Sequence, residues 1–300
     1  MDLLSKPSGF KTWPAKKKAL LVTAVLVVLI ALGVALGVGL GLGLNDDEGE
    51  EGETGIWQPA IEASWQIVLR YALNDTSVDV DVYDIDPFDN HRDMISELHY
   101  QGRRVICYFS AGTYENWRED ADRFPDSAIG KRLRDWQGES WIDISAPAVR
   151  EIMTDRLDLA AEKGCDGVDP DNVDGYDNDN GLGLTQDDTV SYMRFLAREA
   201  RRRNLSIGLK NAGDVIPRVI GEMQWSVNEQ CAQYNECDVY AAFIAQGKPV
   251  FHIEYPKGME VNNEVEVSGE RKAGACEVDD AAGFSTVIKN MQLDNWVQEC

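Results

Sequence analysis

The stretch Gly164–Tyr176, GCDGVDPDNVDGY, decides how the rest of the chain is read. Cys165, Gly167 and Val168 give the apolar beat of a buried strand end, and it runs directly into Asp166, Asp169, Asp171 and Asp174. Like charges this close repel and push some carboxyls upward in pKa. That has little structural use at a strand end, and it is common where catalysis needs tuned carboxylates. Pro170 and Gly175 make the segment rigid and sharply turned. The competing readings are a solvated acidic loop and a calcium loop. The calcium frame fails, because neither the glycine nor the ligand spacing of D-x-D-x-D-G is present.

On either side of this stretch, strand-like and helix-like segments alternate. Strands are expected at Gln66–Arg70, Val80–Ile85, Arg104–Ser110, Gly167–Asp171, Ser206–Lys210, Trp225–Glu229, Val250–Tyr255 and Phe284–Asn290. Helices are expected at His91–Gln101, Ala146–Lys163, Thr189–Arg203, Ala212–Glu222 and Asp238–Gln246. Ile152, Leu157, Leu159 and Ala160 fall on or near one side of the second of these. Eight β units with helical crossovers predict an α/β fold, a (β/α)8 TIM barrel. Pro256–Asp280 is polar and irregular and reads as a long loop on the active face.

Catalysis in such barrels sits at the C-terminal strand ends. Those ends carry Tyr83-Asp84-Ile85-Asp86, Tyr108-Phe109-Ser110-Ala111-Gly112, Asp169-Pro170-Asp171-Asn172, Lys210-Asn211, Asn228-Glu229-Gln230 and His252-Ile253-Glu254-Tyr255. Carboxylates and amides suit sugar hydroxyls, and aromatic faces suit sugar C–H groups. Asn211, Glu254 and Tyr255 are among the candidate substrate-binding residues at these ends. Trp57, Trp65, Trp117, Trp136 and Trp141 are candidate platforms, although core packing is the commoner role of any single Trp. His91, His99 and His252 form no visible metal set, and Ser110 lacks the G-x-S-x-G frame. No metal or cofactor is expected.

The N-terminus has a different character. Lys6, Lys11, Lys16, Lys17 and Lys18 precede Ala19–Leu44, which runs 26 residues without a charge. A span needs about 20 residues, and a cleaved signal peptide has an apolar region of about 7–15. Residues 19–44 thus read as a transmembrane signal-anchor, with 1–18 cytoplasmic and 45–55 an acidic, flexible tether. Residues 56–300 form the catalytic domain, expected to be monomeric and outside the cell membrane in a type II topology. Gly33, Gly37 and Gly41 have the spacing of a helix-dimerisation face, which glycine's abundance in membrane helices also explains.

Net charge is -23. The first 44 residues hold five lysines against one aspartate, which leaves -27 on the remainder. That sign excludes nucleic acid and favours a cationic ligand. All six cysteines lie beyond the apolar run, which suits three disulfides in an oxidising compartment. Cys231 and Cys237 are close enough in sequence to clip one loop, and Cys276 with Cys300 would tie down the C-terminal end, leaving Cys107 and Cys165 in adjacent expected strands, one of 15 possible pairings. Asn74-Asp75-Thr76 and Asn204-Leu205-Ser206 are glycosylation sequons.

VICYFSAG (Val105–Gly112), GCDGVDPDNVDGY, GLKN (Gly208–Asn211) and VNEQC (Val227–Cys231) together resemble glycoside hydrolase family 114, the endo-α-1,4-polygalactosaminidases. The likeness covers Ile56 to Cys300 and is strongest to membrane-anchored fungal members acting on galactosaminogalactan. It implies a (β/α)8 barrel, no metal, a cationic galactosamine polysaccharide as partner, and endo-hydrolysis of α-1,4 bonds. By motif, Asp171 resembles the family's catalytic Asp and Glu229 its catalytic Glu, with Asp84, Tyr108, Asp169, Asn172 and Lys210 around them. Asp171 is expected as nucleophile and Glu229, next to Trp225 and Val227, as an acid with raised pKa. Asp169 competes for the nucleophile's role. Lys210 reads either as a group that keeps the nucleophile ionised or as a structural ion pair. The alternatives are a hydrolase of neutral α-galactosides and a tethered polysaccharide-binding protein without turnover.

Overall fold

The computed structural model describes residues 55–259 and 261–300. Eight parallel strands run side by side in one sheet: β1 (Trp65–Val68), β2 (Val82–Ile85), β3 (Arg104–Ser110), β7 (Gly167–Asp171), β8 (Ser206–Lys210), β9 (Trp225–Glu229), β10 (Val250–Glu254) and β11 (Ser285–Lys289). The sheet curls into a nearly closed barrel. At the seam the Trp65 indole N–H donates to the Ser285 carbonyl (2.8 Å), and Lys289 Nζ donates to Gln66 Oε1 (2.7 Å). A short antiparallel strand, β12 (Val297–Glu299), takes the remaining edge of β11. The α/β architecture agrees with the barrel expected from sequence. The predicted span 19–44 lies outside the described residues, among which no helix is long and apolar enough to cross a membrane.

The helices are α1 (Arg92–Tyr100), α2 (Pro147–Lys163), α3 (Gln186–Arg202), α4 (Ile216–Val219), α5 (Cys231–Tyr234), α6 (Cys237–Ile244) and α7 (Glu270–Cys276). Local chemistry sets their ends. Pro147 opens α2, where its missing N–H costs nothing, and Gly164 closes it at φ 95°. Thr185 and Asp188 form a reciprocal capping box on α3. On α2, Val149, Ile152, Met153, Leu157 and Ala160 are buried against the sheet, which is the 3.6-residue period read in the sequence.

Strand alternation divides the side chains into two sets. Trp65, Ile67, Val82, Ile106, Trp225, Val227, Phe251, Ile253 and Val287 fill the barrel interior. Tyr83, Ile85, Val105, Cys107, Phe109 and Val168 pack outward, against the helices. Trp225 is the bulkiest interior group of its region. A Cβ on Gly167 would lie 2.5 Å from Trp225 Cη2, and one on Gly208 would lie 2.1 Å from Trp225 Nε1, so both positions exclude any larger residue. The three disulfides join Cys107 to Cys165, Cys231 to Cys237 and Cys276 to Cys300, the pairing expected from sequence.

Three features depart from the sequence reading. A three-stranded antiparallel sheet, β4 (Thr113–Glu115), β5 (Ile129–Arg132) and β6 (Glu139–Ile142), is inserted between β3 and α2. The single helix expected over Ala212–Glu222 is instead a 3-10 turn at Gly213–Val215 followed by the four-residue α4. Ala212 at φ 53° and Pro217 break the continuity. Pro256–Asp280 is not wholly irregular. It carries α7, whose last residue is tied to Cys300, and it buries Val267 and Ala275 against Ile288.

Candidate active site

Lys210 ends β8 with its side chain inside the barrel, 1% exposed. Its Nζ lies 3.5 Å from Asp171 Oδ2, 3.5 Å from Glu229 Oε2 and 3.9 Å from Asp169 Oδ2, and 5.4 Å from the centre of the Tyr108 ring. Burial alone would favour the neutral amine. Asp171, Glu229, Asp169 and Asp84 together outweigh it and hold the ammonium above its ordinary value. Because one nitrogen is 3.5 Å from an oxygen of each rim carboxylate, those oxygens are at most twice that distance apart.

Asp171 and Glu229 accept from fixed donors. Tyr108 Oη donates to Asp171 Oδ2 (2.9 Å), and the Asn172 amide N–H donates to Asp171 Oδ1 (2.7 Å). Tyr255 Oη donates to Glu229 Oε1 (2.5 Å), and Asn211 Nδ2 donates to Glu229 Oε2 (3.3 Å). Burial pushes Glu229 up. Lys210, Tyr255 and Asn211 more than offset it and hold the carboxyl below its ordinary value. This reverses the raised pKa expected from Trp225 and Val227. Those neighbours line the interior beneath Glu229, while the donors that decide its charge arrive from the adjoining strands. The phenols of Tyr108 and Tyr255 are pushed well up, first by burial and next by the carboxylates they serve.

Asp84 and Asp169 lie beneath this rim, both fully buried. No hydrogen-bond donor among the described residues reaches an oxygen of either. Burial and then Asp169 push Asp84 well above the usual carboxylate range, and burial pushes Asp169 up to about 7. A proton shared between them supplies the missing donor. The sequence placed both along the substrate subsite. Their interior positions, one alternation below the strand tips, instead put them under it.

The strand tips need unusual backbone. Asn172, Asn211 and Gln230, which follow β7, β8 and β9, have φ of 60°, 49° and 67°. Asparagine tolerates this left-handed region better than most residues. A Cβ on Gly112 would sit 1.6 Å from the Asn172 carbonyl oxygen, so the turn after β3 can pack on that backbone only as glycine. Ser110 Oγ accepts from Asn172 Nδ2 (3.0 Å), and Asn211 Oδ1 accepts from the Glu229 N–H (2.9 Å). These supporting contacts, with Gly112 and Ser110, were not singled out from sequence as parts of the site. Strand register does place Ser110 opposite Asp171.

Glu254 is not brought to the cluster. His252 and Glu254 have the opposite parity to Ile253 and Tyr255 and face the helices. Glu254 Oε1 accepts from the Ala232 N–H (2.8 Å) and pairs with His252 Nε2 (2.9 Å). Among the described residues, the one His, Cys and carboxylate grouping with ligand spacing is Cys231, Cys237 and His252. Its two sulfurs are joined in a disulfide, which leaves no thiolate to coordinate.

The family model for glycoside-hydrolase family GH114 matches residues 47–300. The crystal structure of Aspergillus fumigatus Ega3 in complex with galactosamine is 64% identical, with a TM-score of 0.81 over 82% of this chain and 98% of that one. The glycoside hydrolase domain of PelA from Pseudomonas aeruginosa is 16% identical, with a TM-score of 0.60 over 78% of this chain and 98% of that one, a likeness of fold alone. No curated protein matches the chain.

The shared proton has a measurable consequence. Both carboxyls titrate higher in the folded state than the 3.8 of a free aspartate, so folding takes up protons above about pH 4, over a window that reaches about 7 for Asp169 and is set for Asp84 by its own raised pKa. Stability from the pair is fully present below that window and is lost as pH rises through it. In Asp84→Asn the amide donates to Asp169 without a proton. Its stability relative to wild type should therefore rise across the window by about 1.4 kcal/mol per pH unit for each proton the wild-type pair takes up, up to about 2.7 for two, measured by urea unfolding. Parallel stability curves for the two proteins would rule out the shared proton.

Proposed function

The chain belongs to glycoside-hydrolase family GH114, and on that premise we propose that it is an endo-acting hydrolase of α-1,4 bonds in a deacetylated galactosamine polysaccharide. The observation that carries the reading is the placement of two partly exposed carboxylates, Asp171 and Glu229, on either side of one buried ammonium. The bond type and endo action come from the family resemblance, and the substrate from the galactosamine bound in Ega3. The charge of -27 beyond residue 44 supports capture of a polycation at long range.

Glycoside cleavage needs one ionised and one protonated carboxyl flanking the bond. Asp171 serves as nucleophile, aligned by Tyr108 and the Asn172 N–H. Asp169 is completely buried and lacks the access that a nucleophile needs. Glu229 serves as acid and then base. It must gain a proton on substrate binding. A bound sugar excludes water and strengthens desolvation, the one influence that already pushes Glu229 upward. The rim oxygens' maximum separation includes the spacing of about 5–5.5 Å for a retaining mechanism and only the lower edge of the inverting range.

With deacetylated galactosamine polymer as substrate, Asp171→Asn and Glu229→Gln should each lose turnover on the order of 10³-fold while still binding polymer. Equal turnover of fully N-acetylated polymer or neutral galactan would overturn the substrate assignment. Loss of activity in Asp169→Asn but not in Asp171→Asn would move the nucleophile by two residues. A second experiment reads the acid. Tyr255→Phe removes a donor that favours the charged form of Glu229, so its pKa rises and the acid form survives to higher pH. The alkaline limb of kcat/KM should then move to higher pH, and a limb that stays in place or moves down would remove Glu229 from the acid's role.

We also propose that residues 19–44 tether the domain to the cell membrane with its active site outside, on the motif of five lysines before an uncharged 26-residue run. Protease added to intact cells should release a fragment of about the catalytic domain's size. A fully protected domain would invert the topology.

A further inference from the structure

Beside the carboxylate cluster the inserted sheet forms one wall of a cleft of about 530 Å³, and the segment after Asp171 forms the other. The two are continuous. Asn172 and Asp174 line the cleft, and the Asn172 N–H is bonded to Asp171 itself. The opposite wall is Lys131–Trp136. Trp136 presents its ring to solvent, 54% exposed, while Trp141 is buried at the base against Gly175.

The charge of this cleft differs from that of the catalytic centre. Lys131 is neutralised by Asp179, with contacts of 2.6 and 2.8 Å. Arg132 and Arg134 are exposed, and neither is in an ion pair among the described residues. Asp135 is the one exposed carboxylate on that wall. Asp174, on the other wall, is pushed up to about 6 by burial and by Asp171, so it carries little charge in mildly acidic solution. Guanidinium groups only donate hydrogen bonds. Arg132 and Arg134 therefore favour a ring that offers acceptors, such as hydroxyl or amide carbonyl oxygens, and an ammonium substituent would face two guanidinium groups with Asp135 as the one carboxylate on that wall.

We propose that this cleft is a flanking subsite for an uncharged sugar ring, a neutral hexose or an N-acetylated hexosamine, stacked on Trp136 and hydrogen-bonded by Arg132 and Arg134. The proposal rests on the hydrolase reading above and adds a preference within it. The chain would be cut where a free-amine residue at the carboxylates adjoins an uncharged one in the cleft. Acid at one position and base at the next makes the enzyme a reader of local acetylation pattern and not of bulk charge alone.

The test compares partly N-acetylated with fully deacetylated galactosamine polymer, using Trp136→Ala and Arg134→Ala. Both residues are exposed, so unchanged circular dichroism and melting can confirm folding. The ratio of kcat/KM on the partly acetylated polymer to that on the deacetylated one should fall roughly tenfold in each variant, the factor about 1.4 kcal/mol represents. An unchanged ratio overturns the proposal, whether both activities fall together or neither does. A separate readout keeps the two readings distinct. N-acetylgalactosamine oligomers should perturb tryptophan fluorescence of wild type and not of Trp136→Ala. If wild type cleaves neither polymer but shows this signal, the hydrolase reading fails and the subsite stands. If it cleaves and shows no signal, the subsite fails alone.

Discussion

Everything at the mouth of the barrel depends on the Lys210 ammonium. Four carboxyls stand around a nitrogen that has almost no access to water. Without it, Asp171 and Glu229 would face each other and two buried aspartates at close range, a repulsion little screened in a low-dielectric interior. With it, the cluster still has more acid than base. Removing one partner from such a buried set is costly because the rest are left uncompensated. The shared proton on Asp84 and Asp169 lowers the charge from beneath. Glu229 keeps its charge through Lys210 and its phenol and amide donors, so negative charge remains where a cationic sugar would enter.

The barrel makes this possible by delivering the groups from separate strands. Tyr108 comes from β3, Asp169 and Asp171 from β7, Lys210 from β8, Glu229 from β9, and Tyr255 from just beyond β10. Each has interior parity, and each strand turns away immediately afterwards. The left-handed turns at Asn172, Asn211 and Gln230 let the chain leave the mouth without covering it. The same asparagines then send side-chain or backbone donors and acceptors back to the carboxylates, so the turns that open the site also hold its geometry.

Much of this was legible in the sequence. β3, β7, β8 and β9 have the bounds read from their apolar runs, and the acidic tips follow from strands that end where burial ends. The inserted sheet was not legible, because β5 (IGKR) and β4 (TYE) are too short and too mixed in polarity to show alternation. The direction of the Glu229 shift was missed for another reason. It depends on Lys210, Asn211 and Tyr255, which are distant in sequence and meet only after the barrel closes. Glu254 was misplaced because a strand-end list ignores parity, and one residue decides whether a side chain enters the mouth or the helix layer.

The fit of Trp225 over Gly167 and Gly208 also acts as a gauge of height. A strand can slip by two residues and keep its inside and outside faces, so alternation alone does not say how far each strand rises before it turns. Slipping β8 by two would bring Ser206 or Lys210 under the indole, and slipping β7 would bring Cys165 or Asp169, none of which leaves room for the ring. Only one vertical alignment of β7, β8 and β9 is compatible with a tryptophan at that level. The heights of Asp171, Lys210 and Glu229 relative to one another are therefore set by a ring that none of them touches in sequence and that lies below the chemistry.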